Sequence, residues 1–128
     1  VSIRIEVAPG EIIDKLTILE IKRERIGDEA KRKNVAHEWD VLTRDIDAAV
    51  QKTPELDALR AKLKEINLKL WVIEDDIRDC ERAKDFGAKF VELARAVYFT
   101  NDERAAVKRE INELLGSAIM EEKSYAAY

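Results

Sequence analysis

Residues 54–82 read PELDALRAKLKEINLKLWVIEDDIRDCER, and this stretch decides the fold class. Leu56, Leu59, Leu63, Ile66, Leu70, Ile73, Ile77 and Cys80 recur at steps of three and four without an error. That spacing returns the side chains to one face of an α-helix and forms a coiled-coil seam. Thr53 followed by Pro54 and Glu55 is the clearest helix start in the chain: a hydroxyl cap, then a proline where a backbone N–H would have no partner anyway. At about 1.5 Å per residue the helix extends roughly 43 Å, more than the ~36 Å width of a compact sphere of this chain length. The spacing therefore predicts an elongated molecule. Leu68, Trp71 and Val72 add apolar groups away from the seam, so this helix needs cover on more than one side.

Working outward, Val35, Trp39, Leu42, Ile46 and Ala49 predict a helix over about 29–51, placed to cover the seam. Gly27 and Asp28 separate it from a helix over about 9–26, opened by Pro9 and Glu11 and carrying Ile12, Leu16, Leu19 and Ile26. Beyond the central helix, Phe86, Phe90, Leu93 and Val97 predict a helix over about 86–99. Thr100-Asn101-Asp102-Glu103 reads as a break and restart, and Val107, Ile111 and Leu114 predict a fifth helix over about 102–115, stopped by Gly116. These two helices are expected on the second face of the central one, and residues 117–128 form a tail. Residues 2–7 differ: Ile3, Ile5 and Val7 alternate with Arg4 and Glu6, the period of a strand. The expected fold is one all-α domain spanning 1–128, an elongated antiparallel helical bundle or coiled-coil hairpin with a short N-terminal β-strand.

Composition agrees with that class. Hydrophobic residues make up 46% and charged residues 39%, enough for a core and a densely charged surface. Four Gly and two Pro are too few for the frequent tight turns of an all-β fold. A formal net charge of −4 supplies no overall basic field, so nucleic acid is an unlikely partner. Cys80 is the single cysteine, which excludes an intrachain disulfide and a cysteine-based zinc site. No apolar run approaches the ~20 residues of a membrane span, and the first residues carry no apolar signal core. A cytoplasmic location is the expectation.

Leu70-Trp71-Val72-Ile73-Glu74-Asp75-Asp76-Ile77-Arg78 is a distinctive run, as are Asp85-Phe86-Gly87, Glu92-Leu93-Ala94-Arg95-Ala96-Val97-Tyr98 and Thr100-Asn101-Asp102. With Gly116-Ser117, Glu121-Glu122-Lys123-Ser124-Tyr125 and the opening Pro9-Gly10-Glu11-Ile12-Ile13-Asp14-Lys15-Leu16-Thr17-Ile18-Leu19-Glu20, the chain resembles a bacterial family, domain of unknown function family 6165. The likeness covers nearly the whole length. The family brings no established activity, so the resemblance implies no catalytic residues. It points to an association with glycosyltransferase or surface-polysaccharide systems, and to a glycan-assembly enzyme as partner.

Three charged constellations are candidate sites. Glu74, Asp75, Asp76 and Asp79, with Glu81 and Asp85 beyond, could hold Mg²⁺ if Glu20 and Glu24 converged on them from the first helix. The simpler reading is a solvated acidic face paired with Arg78 and Arg82, and no metal or cofactor is expected. Lys22, Arg23, Arg25, Lys31, Arg32 and Lys33 surround the first turn, but acids interrupt them and no aromatic side chain is interleaved for base stacking. Arg78, Arg95, Tyr98, Asn101, Arg104 and Lys108 could form a cationic pocket for a phosphate or carboxylate, since guanidinium groups bind such anions bidentately. The competing reading pairs these cations with acids such as Asp75, Asp102 and Glu110. His37 lacks a second imidazole, Cys80 sits on the seam, and no phosphate loop or nucleophile elbow occurs.

A lone strand needs a partner. Two copies paired antiparallel about Ile5 would set Arg4 against Glu6 and Ile3 against Val7, which makes a homodimer joined through Ile3, Ile5, Val7 and Trp71 the expectation. Pairing with the tail is the alternative. The sequence thus favours a non-catalytic helical interaction or adaptor protein, against a small helical enzyme or ligand-binding domain that recognises an anionic small molecule.

Overall fold

A computed structural model describes residues 1–128 as four helices: α1 (Pro9–Arg25), α2 (Glu29–Ala49), α3 (Pro54–Arg82) and α4 (Ala88–Leu114). The local signals act as expected at three boundaries. Asp28 caps α2, its side chain accepting from the Lys31 amide at 3.0 Å. Thr53 caps α3 by accepting from Leu56 at 3.2 Å, with Pro54 in the first turn. Gly116, at φ 62°, closes α4 in the left-handed conformation that glycine adopts without strain. The turn after α3 uses the same geometry with Lys84 at φ 54°, Asp85 donating back to the Cys80 carbonyl at 2.9 Å and Lys84 to that of Glu81 at 3.1 Å.

The central rod stands as read. Leu56, Leu63, Ile66, Ile73 and Cys80 of its seam are buried, and Leu59, Leu70 and Ile77 are partly so. Its cover differs from expectation. The rod packs on α4 and is crossed by α1, whereas α2 packs chiefly on α1. α1 therefore sits at the centre, against all three other helices. Its composition explains this: Ile13, Leu16, Leu19 and Ile21 are each exposed by no more than 2%, so apolar groups on most of its circumference need cover. The core joins Ile13, Leu16 and Leu19 of α1 to Val35, Ile46, Leu63, Ile66, Val107 and Ile111.

Two further expectations are corrected. Residues 88–114 form one helix where two, over 86–99 and 102–115, were expected. Thr, Asn and Asp are only a few tenths of a kcal/mol, about 0.5 to 0.7, worse than good helix formers, and neither Gly nor Pro interrupts the segment. Packing overrides that weak preference, and Thr100 is 1% exposed within the helix. Residues 2–7 form no strand, and the tail 117–128 does not pair with them as one. Alternation alone supplies no ladder partner, and within a single copy Ile3 and Ile5 remain 82% and 75% exposed.

Candidate functional site

The crossing of α1 over α3 and α4 carries a buried polar network. Asp14 is 1% exposed. Its Oδ1 accepts from Asn67 Nδ2 at 2.8 Å and from Arg104 Nε at 2.9 Å, while Arg104 Nη2 donates to Oδ2. Thr17 Oγ1 accepts from Asn67 Nδ2 at 2.9 Å and donates to the Asp14 carbonyl at 2.7 Å. A turn earlier, Lys108 Nζ lies 2.7 Å from Glu11, and Asn112 Oδ1 accepts from the Gly10 amide at 2.8 Å. A carboxylate taken this far from water persists only with charge-assisted partners, and the two-pronged guanidinium contact supplies them.

The network also shifts its cations. Its hydrogen bond to Asp14 raises Arg104 above its ordinary value, against the opposing effect of desolvation. For Lys108 burial is the largest influence and works against the charge, yet the hydrogen bond and attraction of Glu11 together outweigh it and the ammonium is raised.

Beside the network, α1, α3 and α4 enclose a cleft of about 370 Å³. Ile18, Trp71 and Val97 give it apolar walls, and Asn67, Asn101, Arg104, Glu74 and Asp75 bring polar groups to it. A second feature lies farther along α4. Val91, Arg95, Tyr98 and Phe99 share one helix face by their spacing, and Val91, Tyr98 and Phe99 are 52%, 43% and 40% exposed. Tyr98 stacks on Phe99 at 5.0 Å, Arg95 lies 5.9 Å from the Phe99 ring, and Tyr128 of the tail rests 4.6 Å from Phe99.

The six residues read as a possible cationic pocket are distributed between these features. Asn101 and Arg104 meet at the cleft. Arg78 is exposed, with Nη2 2.7 Å from Glu74. Arg95 and Tyr98 belong to the aromatic stripe, and Lys108 is held by Glu11 and, at 3.4 Å, by Glu121. Of the expected interface residues, Ile3 and Ile5 are exposed, Val7 is half-buried, and the half-buried Trp71 forms a cleft wall. Glu20 and Glu24 pair with Arg60 and Lys64, both at 2.7 Å, and do not join the acids of α3. Cys80 is buried, as its seam position implied. Trp39 packs against the core between Arg23 and Arg60, whose guanidinium groups lie 5.4 and 5.6 Å from its ring.

Sequence reading missed Asp14, Thr17, Asn67 and Asn112. For Asp14 a signal existed: its spacing places it on one face of α1 with Ile18 and Ile21, where a carboxylate is out of place without a partner. Nothing local named that partner as Arg104.

The fold and its buried network define an all-helical domain made of two helical hairpins, α1–α2 and α3–α4, with no helix long and apolar enough to cross a membrane. The chain belongs to a family of unknown function, DUF6165, whose model matches residues 3–128. No curated protein and no solved structure matches it significantly.

Proposed function

We propose that the protein is a non-catalytic helical adaptor that works as a homodimer, two copies meeting through the stripe Val91, Tyr98 and Phe99 on α4. The observation that supports this reading is the stripe itself. Three large apolar side chains on one helix face are 40% or more exposed in the single copy, on a stretch that contributes nothing to the main core. Large apolar side chains exposed together on one helix face mark a contact site more often than scattered single residues do. Side-chain hydrogen bonds and ion pairs of the adjoining hairpin tip, such as Arg78–Glu74, Arg82–Asp79 and Lys84–Glu81, are all local, so this end is not tied to α1 or α2. Glu92, Arg95 and Asp102 flank the stripe with both signs of charge, which lets a two-fold axis set acid against base. The exposed Ile3 and Ile5, with Val7, add a second apolar contact to the same dimer. A glycan-assembly enzyme is the partner class to which the family resemblance points.

Arg104 and Lys108 face Asp14 and Glu11 and are not free for an anion, which favours the adaptor over an anion-binding enzyme. Sedimentation equilibrium of the full chain tests the reading, alongside Val91→Glu/Phe99→Glu and a form lacking residues 1–7. The expected result is a dimer for the full chain, dissociated by the double substitution and weakened by the truncation. A monomer at about 100 µM, where an affinity useful to a stable dimer would be saturated, overturns it. So does a dimer that ignores the double substitution.

A further inference from the structure

We propose that the cleft between α1, α3 and α4 binds a small organic ammonium ion, its charge facing Asp75 and Glu74 and its apolar body lying against Trp71. This site is separate from the α4 stripe and does not depend on the adaptor reading.

The volume, about 370 Å³, falls in the range of small-molecule sites. Charge decides the class of ligand. Glu74, Asp75 and Arg104 are the ionised side chains that line the cleft, and the Arg104 charge is already matched by buried Asp14. What remains is acidic. Asp75 takes part in no ion pair and no side-chain hydrogen bond, whereas Glu74 is paired only with Arg78, through side chains 56% and 71% exposed. An exposed pair of that kind is worth little and yields readily to a competing cation.

A second observation, independent of the carboxylates, points the same way. Asn67 is 5% exposed and lines the cleft. Its Nδ2 is committed to Asp14 and Thr17, so the amide is oriented with its oxygen free. That Oδ1 accepts no hydrogen bond and, unlike Thr43 Oγ1, is not fully covered by protein. A deeply placed acceptor without a donor suits an N–H-bearing ligand. Trp71 completes the set, because an indole face is the best aromatic partner for a cation and also covers a hydrocarbon body. An anion would meet two carboxylates, one open carbonyl oxygen and an arginine whose charge is already spent on Asp14.

The test uses the full chain carrying Trp39→Phe, so that fluorescence reports Trp71 alone. Phenethylammonium is titrated against its neutral counterpart phenethyl alcohol and the anion 3-phenylpropionate. Saturable binding of the ammonium is expected, with the alcohol and the anion about tenfold weaker or more, and with Asp75→Asn lowering ammonium affinity by about tenfold. Asp75 is exposed, so the variant should keep its helical circular dichroism and melting point, which are measured beside the titration. Equal or tighter binding of the anion overturns the proposal. So does ammonium binding indifferent to Asp75→Asn, or the absence of saturation by about 10 mM ammonium.

Discussion

Asp14 on α1 and Arg104 on α4, separated by 90 positions in the chain, are joined in the core by two hydrogen bonds, Nε to Oδ1 at 2.9 Å and Nη2 to Oδ2. Asp14 is 1% exposed at its side chain and Arg104 30%, so the acid depends on the base for its only ion pair. Removing the arginine strands a buried carboxylate, which is expected to cost about 3 kcal/mol or more. Asp14→Leu alone should also destabilise. The combination Asp14→Leu/Arg104→Met should lose less than the sum of the two, with a coupling of about 1 to 3 kcal/mol. Urea unfolding of the four proteins measures this cycle, and additive single effects would show that the pair does not act as a unit.

At Gly10, α1 lies tightly against α4. A Cβ there would stand 2.6 Å from the Lys108 carbonyl oxygen and 2.7 Å from Asn112 Oδ1. The first neighbour is backbone within a helix and cannot yield alone. Gly10→Ala is expected to destabilise by about 1 to 3 kcal/mol, although alanine is the better helix former. A thermal melt at or above that of the parent protein would contradict the close packing of the two helices.

Lys108 links stability to alkaline pH. Its native pKa is raised above the ordinary 10.5, because the interactions with Glu11 outweigh burial. The folded state therefore holds this proton more tightly than the unfolded state. Its contribution is complete below about pH 10.5 and is lost as pH climbs through the raised native value. Unfolding free energies between about pH 9 and pH 12 should fall more steeply for the parent than for Lys108→Met. Identical slopes would remove Lys108 from the linkage.

The two helix ends at Lys84 and Gly116 adopt the same left-handed turn, at φ 54° and 62°, with different residues. Only the lysine is strained by it. Lys84→Gly is expected to stabilise by about 0.5 to 1 kcal/mol, the relief of Cβ strain exceeding the added freedom of the unfolded chain. Chemical denaturation checks this, and a loss of stability would show that the lysine side chain contributes more than its backbone strain costs.

Much of the fold was legible because its signals are local. The steps of three and four from Leu56 to Cys80, the caps at Asp28 and Thr53 and the stop at Gly116 act within a turn or two of the chain. The misreadings came where a local preference met a distant constraint. Thr100-Asn101-Asp102 looked like a break, but that preference is weak and packing carries the helix through it. Ile3, Ile5 and Val7 alternate like a strand, but a ladder needs a second strand, which the chain does not supply.

By itself, then, the sequence determined an all-helical chain, the position and length of its central rod and the apolar character of its helix faces, since periodicity is a property of neighbouring residues. Only the tertiary structure decided which face meets which. It laid α1 rather than α2 across the rod, turned Arg104 and Lys108 inward to Asp14 and Glu11, and brought Asp75 and Asn67 to the lining of one cleft. The reason is physical. An apolar stripe states that it must be covered but not by what, and a buried charge selects its partner from across the whole folded chain.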